Sequence, residues 1–158
     1  GQWISGQFDT TLNWNDVAWI RSLWPGNLII KGVLDVGDAR AAAATGADAI
    51  VVSNHGGRQL DGAPSSISAL PRIVDAVGSD TEILFDGGVR SGQDVLRALA
   101  LGARACMIGR AFLYGLGAGG EAGVAKTIDI IAKELSVSMA LTGRRTIAEI
   151  DETVIDRG

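Results

Sequence analysis

The sequence predicts an α/β fold, the C-terminal half of a (β/α)8 TIM barrel carrying strands five to eight. Three observations carry this expectation. Short apolar, β-branched runs alternate four times with amphipathic helical stretches. Each run is nearly continuous in apolar character and is followed by a helix, the pattern of parallel strands covered on both faces. Two units also share a phrase, TGADAIVVSNHGG and LGARACMIGRAF, running from a helix through Gly-Ala and a strand into a polar, glycine-bearing loop. Such self-similarity favours a βα repeat over a doubly wound sheet. A complete barrel takes about 250 residues, and the chain has 158, so residues 1–158 are expected to form one partial barrel domain. The first residue is Gly1, not Met, which suggests a processed chain or a fragment.

The elements follow in order. Residues 15–23 (NDVAWIRSL) have helical spacing with Asn13 or Asn15 as cap, and Trp14, Trp19 and Trp24 are expected to pack that opening helix. Residues 28–33 (LIIKGV) read as the first strand, followed by a helix over 36–45 that Gly46 stops. Residues 47–52 (ADAIVV) form the second strand, and after a long loop comes a helix over 66–77. Residues 82–85 (EILF) are the third strand, feeding a helix over 93–101 that ends at Gly102. Residues 105–108 (ACMI) are the fourth, followed by an irregular glycine-rich stretch and a long helix over 122–142. The segment before Asp9 is expected to end a mobile loop after strand four of the barrel, a plausible place for cleavage.

Composition narrows the function. With 47% hydrophobic and 20% charged residues the chain is a packed globular protein, not an extended disordered one. No apolar run approaches the roughly 18–20 residues that span a bilayer. A net charge of −4 and a sequence pI near 4.9 argue against a general nucleic-acid binder. One cysteine, Cys106, excludes an internal disulfide framework and a multi-thiolate metal site, and one histidine, His55, excludes a multi-histidine centre. No metal is expected. The 22 glycines are about twice the average share of roughly 7%.

In a parallel barrel, reactive groups sit at the C-terminal ends of the strands and in the loops that follow. The unusual polar residues here fall at those places: Lys31 in the first strand, Ser53, Asn54, His55 and Arg58 after the second, Asp86 and Arg90 after the third, Gly109 and Arg110 after the fourth. Lys31 interrupts an apolar strand, where a charge is costly unless paired or functional. It is expected to pair inward with a carboxylate such as Asp86, to face negative charge developing on a bound cofactor or substrate, or to form a Schiff base. In the loop SNHGGRQLDG, Gly56 and Gly57 allow a sharp turn that lets His55 and Arg58 face one cavity. A histidine can take a hydroxyl proton and an arginine can grip a carboxylate through paired hydrogen bonds, which together suit an α-hydroxy acid. Asp61 orients one of them or caps the loop. The loops DGGVRSG and IGRAF bring glycine backbone and two arginines, Arg90 and Arg110, to the barrel end where phosphate is bound.

The motifs KG, SNHGGRQLD, DGGVR, LALGA and IGRAFLYGL resemble the FMN-dependent α-hydroxy acid oxidase and dehydrogenase family over nearly the whole chain. WPGNLIIKGVLD, QLDGAPSS and MALTGRRTIAEI look most like its bacterial L-lactate dehydrogenase branch, with glycolate oxidase and mandelate dehydrogenase as near neighbours. The resemblance implies FMN as cofactor and a small L-2-hydroxy acid as substrate. The implied reaction is L-lactate to pyruvate, with electrons passed to a respiratory acceptor. His55 would be the catalytic base and Arg58 would hold the substrate carboxylate. Lys31 would lie by the N1/O2 edge of the flavin, and Ser53 would contact the flavin or its ribityl chain. Asp86, Gly87, Gly88, Val89 and Arg90 would line the ribityl and phosphate pocket, completed by Gly109 and Arg110.

The resemblance also implies what the chain lacks. Family members are about twice as long, and their first four strands supply a second carboxylate-binding arginine and active-site tyrosines, which Tyr114 does not match. The expected partners are therefore the missing N-terminal half of the barrel or a second copy, with a homo-oligomer for the complete enzyme. The expected location is cytoplasmic, peripheral on the inner face of the cell membrane. Alone, the chain should bind FMN poorly and turn over slowly or not at all. The alternatives are another phosphate-binding barrel, an isomerase or a Lys31 aldolase, and a half-barrel without catalysis.

Overall fold

The computed structural model describes residues 9–156, so the segment read as the end of a loop before Asp9 lies outside the described residues. Helix α1 (Trp14–Leu23) is started by Asn13: its side chain accepts the Asn15 N–H (2.9 Å), and Asp16 accepts the Asn13 N–H (2.8 Å). This reciprocal cap selects Asn13 over Asn15. Strands β1 (Ile29–Val33), β2 (Ala49–Val52), β3 (Glu82–Phe85) and β4 (Ala105–Cys106) then form one parallel sheet in sequence order. Helices α2 (Val36–Ala44), α3 (Ser66–Val77) and α4 (Gly92–Ala100) cross between them, and α5 (Arg110–Leu141) follows the last strand.

Alternation along the strands divides the sheet into two faces. Ile50, Val52, Ile83 and Phe85 point to the helix side, where they pack with Ala42, Leu70 and the rest of one core. Ile29, Lys31, Leu84 and Ala105 take the other face, where Ile29 is 49% exposed. A closed barrel would make that face its interior. Cys106 turns from β4 into the helix-side core, and burial pushes its thiol up to about 11, so it stays protonated at neutral pH. At the opposite end of the strands Arg21 anchors α1. Its guanidinium bonds Asp48 (3.0 Å) and the Gly46 and Gly26 carbonyls, while Asp48 also accepts the Leu28 N–H (2.8 Å). That backbone bond, aided by Arg21, holds the Asp48 carboxyl below its ordinary range.

Three sequence expectations are corrected. The glycine-rich stretch after β4 is helical, so α5 begins at Arg110 rather than at 122, and its irregularity is confined to Gly119 and Gly120. There the chain turns, Gly120 taking φ +58°, and the two parts of α5 approach so closely that a Cβ on Gly123 would overlap the Gly115 carbonyl. Close helix contact outweighs the poor intrinsic propensity of glycine. Strand β4 ends at Cys106 rather than 108, keeping one further bond from Met107 N–H to the Phe85 carbonyl (2.8 Å) as the chain turns away. Of Trp14, Trp19 and Trp24, only Trp14 packs on the core. Trp19 and Trp24 are 62% and 55% exposed, since α1 meets the core through Trp14 and none of its residues is fully buried.

The α4–α5 crossing depends on Gly92. Its N–H donates to Glu134 (2.9 Å), and a Cβ there would overlap the backbone of Glu134 and Leu135. Gly92→Ala forces the two helices apart, and overpacking of this kind costs about 1–3 kcal/mol. Urea unfolding should register a loss of that size; an unchanged midpoint would contradict the crossing.

Candidate active site

The cluster begins with an irregularity in β1. The β1–β2 register runs Lys31↔Val51 and then Val33↔Val52, leaving Gly32 as a bulge with φ +99°. A bulge shifts the side-chain alternation of a strand. Val33 consequently enters the helix-side core while Lys31 points the other way, from the open face of the sheet. Lys31 Nζ lies 2.7 Å from Asp86 Oδ2, at the end of β3, and donates to Ser53 Oγ (2.9 Å), at the end of β2. The pair is partly shielded, with side-chain exposures of 40% for Lys31 and 18% for Asp86. Of the readings open for Lys31, inward pairing with Asp86 is thus the one observed.

Ser53 is fully buried, and its Oγ also accepts the His55 N–H (3.1 Å). The next residues form a short 3-10 turn over His55–Gly57, in which Asn54 Oδ1 accepts the Gly56 N–H (3.0 Å). Asn54 is fixed in turn, its N–H donating to the buried Ser66 Oγ (3.0 Å) and its amide to the Pro64 carbonyl (3.3 Å). Held so, His55 takes φ +55° and is the one non-glycine with positive φ among the described residues. Such a conformation persists only where the surroundings over-determine it, and it is commonest at functional sites. Gly87, with φ +96°, packs against this turn: a Cβ on it would lie 2.9 Å from Asn54 Oδ1. The roles of Asn54, Ser66 and Gly32 were not read from the sequence. An Asx turn ahead of His-Gly-Gly was the available signal for Asn54.

Every predicted site residue except Ser53 lines one open cleft of about 370 Å³ over the strand ends, and Gln59, Met107 and Leu113 line it too. Val89 is buried in the helix-side core, so its neighbours Gly88 and Arg90 are the more accessible part of that loop. Arg110 reaches back to the Gly56 carbonyl (3.2 Å), tying the start of α5 to the histidine turn. Asp61 accepts the N–H of Gly62 (3.1 Å) and reaches neither His55 nor Arg58, so the loop role is the observed one.

The cleft has the electrostatics of an anion site. Lys31, Arg58, Arg90 and Arg110 line it, with Asp86 as the single carboxylate among the described residues, in a chain whose net charge is −4. Helix α5 opens at Gly109 without a side-chain cap, leaving its first N–H groups to a ligand. Asp86 Oδ1 is buried without a hydrogen-bond partner among the described residues, which leaves an acceptor for a ligand hydroxyl. Cations, bare glycine backbone and this orphan acceptor fit a phosphate-bearing, polyhydroxylated cofactor such as FMN. Among the described residues no group of His, Cys, Asp and Glu is arranged to hold a metal.

Comparison with known proteins places the chain among its relatives. The chain is 60% identical over 153 residues to an L-lactate dehydrogenase of Caulobacter vibrioides, covering 97% of this chain and 40% of that protein. It is also 60% identical over 148 residues to an L-lactate dehydrogenase of Azorhizobium caulinodans, covering 94% and 39%. The chain therefore spans about 40% of the length of these curated relatives. Among solved structures, the monotopic membrane protein (S)-mandelate dehydrogenase superposes with TM-score 0.94 at 39% identity, over 99% of this chain and 42% of that one. A mandelate oxidase variant bearing a monooxide FMN adduct superposes with TM-score 0.84 at 45% identity, over 87% and 44%. The four parallel βα units are accordingly the C-terminal half of a TIM barrel, and the cofactor is FMN. The FMN-dependent dehydrogenase pattern matches residues 1–157, and the chain belongs to that family.

Proposed function

We propose that this chain supplies the base, one carboxylate clamp and the phosphate-binding side of an FMN-dependent L-2-hydroxy acid dehydrogenase, with L-lactate as the substrate. The observation that carries the reading is that His55 and Arg58, on one turn, line the same cleft as Lys31, Asp86, Arg90 and Arg110. The names of the curated relatives support lactate as the acid.

In this reading Arg90, Arg110, the Gly87–Gly88 backbone and the start of α5 hold the cofactor phosphate, and Asp86 takes a ribityl hydroxyl. Lys31, kept in place by Asp86 and Ser53, presents its ammonium where negative charge develops. When bound, FMN supplies the two-electron acceptor for the hydrogen on substrate C2. Arg58 grips the substrate carboxylate, which turns the C2 hydroxyl toward His55. His55 takes the hydroxyl proton as the C2 hydrogen departs, leaving a 2-oxo acid with pyruvate as the product from lactate. A Lys31 aldolase is disfavoured, since a Schiff-base lysine needs a free amine and this ammonium is engaged by a carboxylate and a hydroxyl.

The rest of the barrel is part of the proposal. Strands β1 and β4 are the outer strands of the described sheet, and Trp19, Leu23, Leu113 and Leu116 are exposed apolar residues, which supports pairing with further strands. A respiratory acceptor and a peripheral position on the inner face of the membrane complete the reading. It is supported by a structural neighbour described as a monotopic membrane protein. No helix among the described residues is long and apolar enough to cross a membrane.

Two variants of the flavin-loaded enzyme with its complete barrel test these roles. His55→Ala should keep FMN bound while slowing flavin reduction by L-lactate about 10²–10⁴-fold, the usual contribution of a general base; reduction at the parent rate would refute the base assignment. Arg58→Lys should raise KM about 10–100-fold with a smaller change in kcat, because a lysine cannot reproduce the two-point contact. A KM equal to the parent's would place carboxylate recognition elsewhere.

A further inference from the structure

We propose that Gly32 is the positioning residue for the His55 imidazole, a role that rests on the reading of His55 as the base. The bulge in β1 turns bare backbone toward the histidine turn. A Cβ built on Gly32 would lie 2.5 Å from His55 Cε1, 3.3 Å from Nε2 and 3.5 Å from Nδ1. Non-bonded carbons do not approach within 3.0 Å, so any side chain at position 32 must displace the ring.

The ring has little else to hold it. Among the described residues neither imidazole nitrogen has a hydrogen-bond partner; the bonds to His55 and its turn are made by backbone, through Ser53 Oγ and Asn54 Oδ1. Those bonds fix the Cα–Cβ direction, and the remaining freedom is rotation of the imidazole about its own side-chain bonds. The Gly32 backbone limits that rotation from one side and leaves both nitrogens unobstructed by protein donors or acceptors. One residue thus serves two ends of the site, since the same bulge sends Lys31 toward Asp86 and Val33 into the core. Gly32 acts through His55 and not on the substrate.

The contact is tested first without activity. His55 is the sole histidine of the 158-residue chain, so its Cε1–Hε1 group gives one resolved NMR signal. That proton should show a cross-peak to the Gly32 α-protons, and Gly32→Ala should move the signal. Absence of the cross-peak would overturn the proposal. In the flavin-loaded enzyme, Gly32→Ala should leave FMN content and substrate affinity near parental values while slowing flavin reduction about 100-fold, the scale of a 1 Å misplacement. The same change in a His55→Ala background should cost much less, the remainder being the backbone strain of an alanine at φ +99°. A reduction rate within about threefold of the parent, or an equal loss in both backgrounds, would overturn it. Should Gly32→Ala fail to fold, as the strain of an alanine at φ +99° allows, the cross-peak between Hε1 and the Gly32 α-protons in the parent decides the proposal. If the parent enzyme is not reduced by any 2-hydroxy acid, the proposed function falls and the NMR contact alone decides this inference.

Discussion

A lysine inside an apolar strand needs a carboxylate within reach, and in this chain that requirement joins the ends of three strands. Lys31 comes from β1, Asp86 from the end of β3, and Ser53 from the end of β2 between them. The ammonium is then neutralised without being removed from the cleft, because the pair remains partly exposed. The bulge at Gly32 allows this by turning Lys31 and Val33 to opposite faces of the sheet. An unbroken strand would have put both on one face, either burying the charge among helices or exposing the valine. Ser53 extends the same cluster to the His55 N–H, so the strained histidine turn is anchored to the group that fixes the lysine.

The outer part of the site follows a simpler rule. Glycines let backbone approach a ligand, and the helix start beyond β4 offers free N–H groups. Arg90 and Arg110 add charge at that end, with Arg110 also joined to the Gly56 carbonyl. Three strand-end loops therefore share one cleft, and each is braced by a contact to a neighbour. The cleft opens on the face of the sheet that carries Ile29 and Ala105 exposed, where the remaining strands of a barrel belong.

Much of this was legible in the sequence because it is local. The four apolar runs, the helix stops at Gly46 and Gly102, and the loop SNHGGRQLD each carry their meaning within about ten residues. His55, Arg58, Arg90 and Arg110 could be assigned to strand-end loops for that reason, and the structure brings them to one cleft. Pairing of Lys31 with Asp86 could be named as an option but not chosen, since it depends on how three strands stack. The Gly32 bulge and the burial of Ser53 were invisible for the same reason: both are properties of register between strands. The start of α5 was misplaced because LYGLGAGG reads locally as a loop, whereas the approach of Gly115 to Gly123 makes small residues an advantage there. A packing role for Trp19 and Trp24 is not met, since both remain more than half exposed.

In the proposed enzyme one cleft serves both FMN and a 2-hydroxy acid. The most direct measurement is anaerobic addition of L-lactate to the flavin-loaded enzyme with its complete barrel, following the visible flavin absorbance and the pyruvate formed. The flavin should bleach, with one pyruvate formed per FMN reduced. A flavin that stays oxidised with L-lactate and other L-2-hydroxy acids, while still bleached by dithionite, would contradict it.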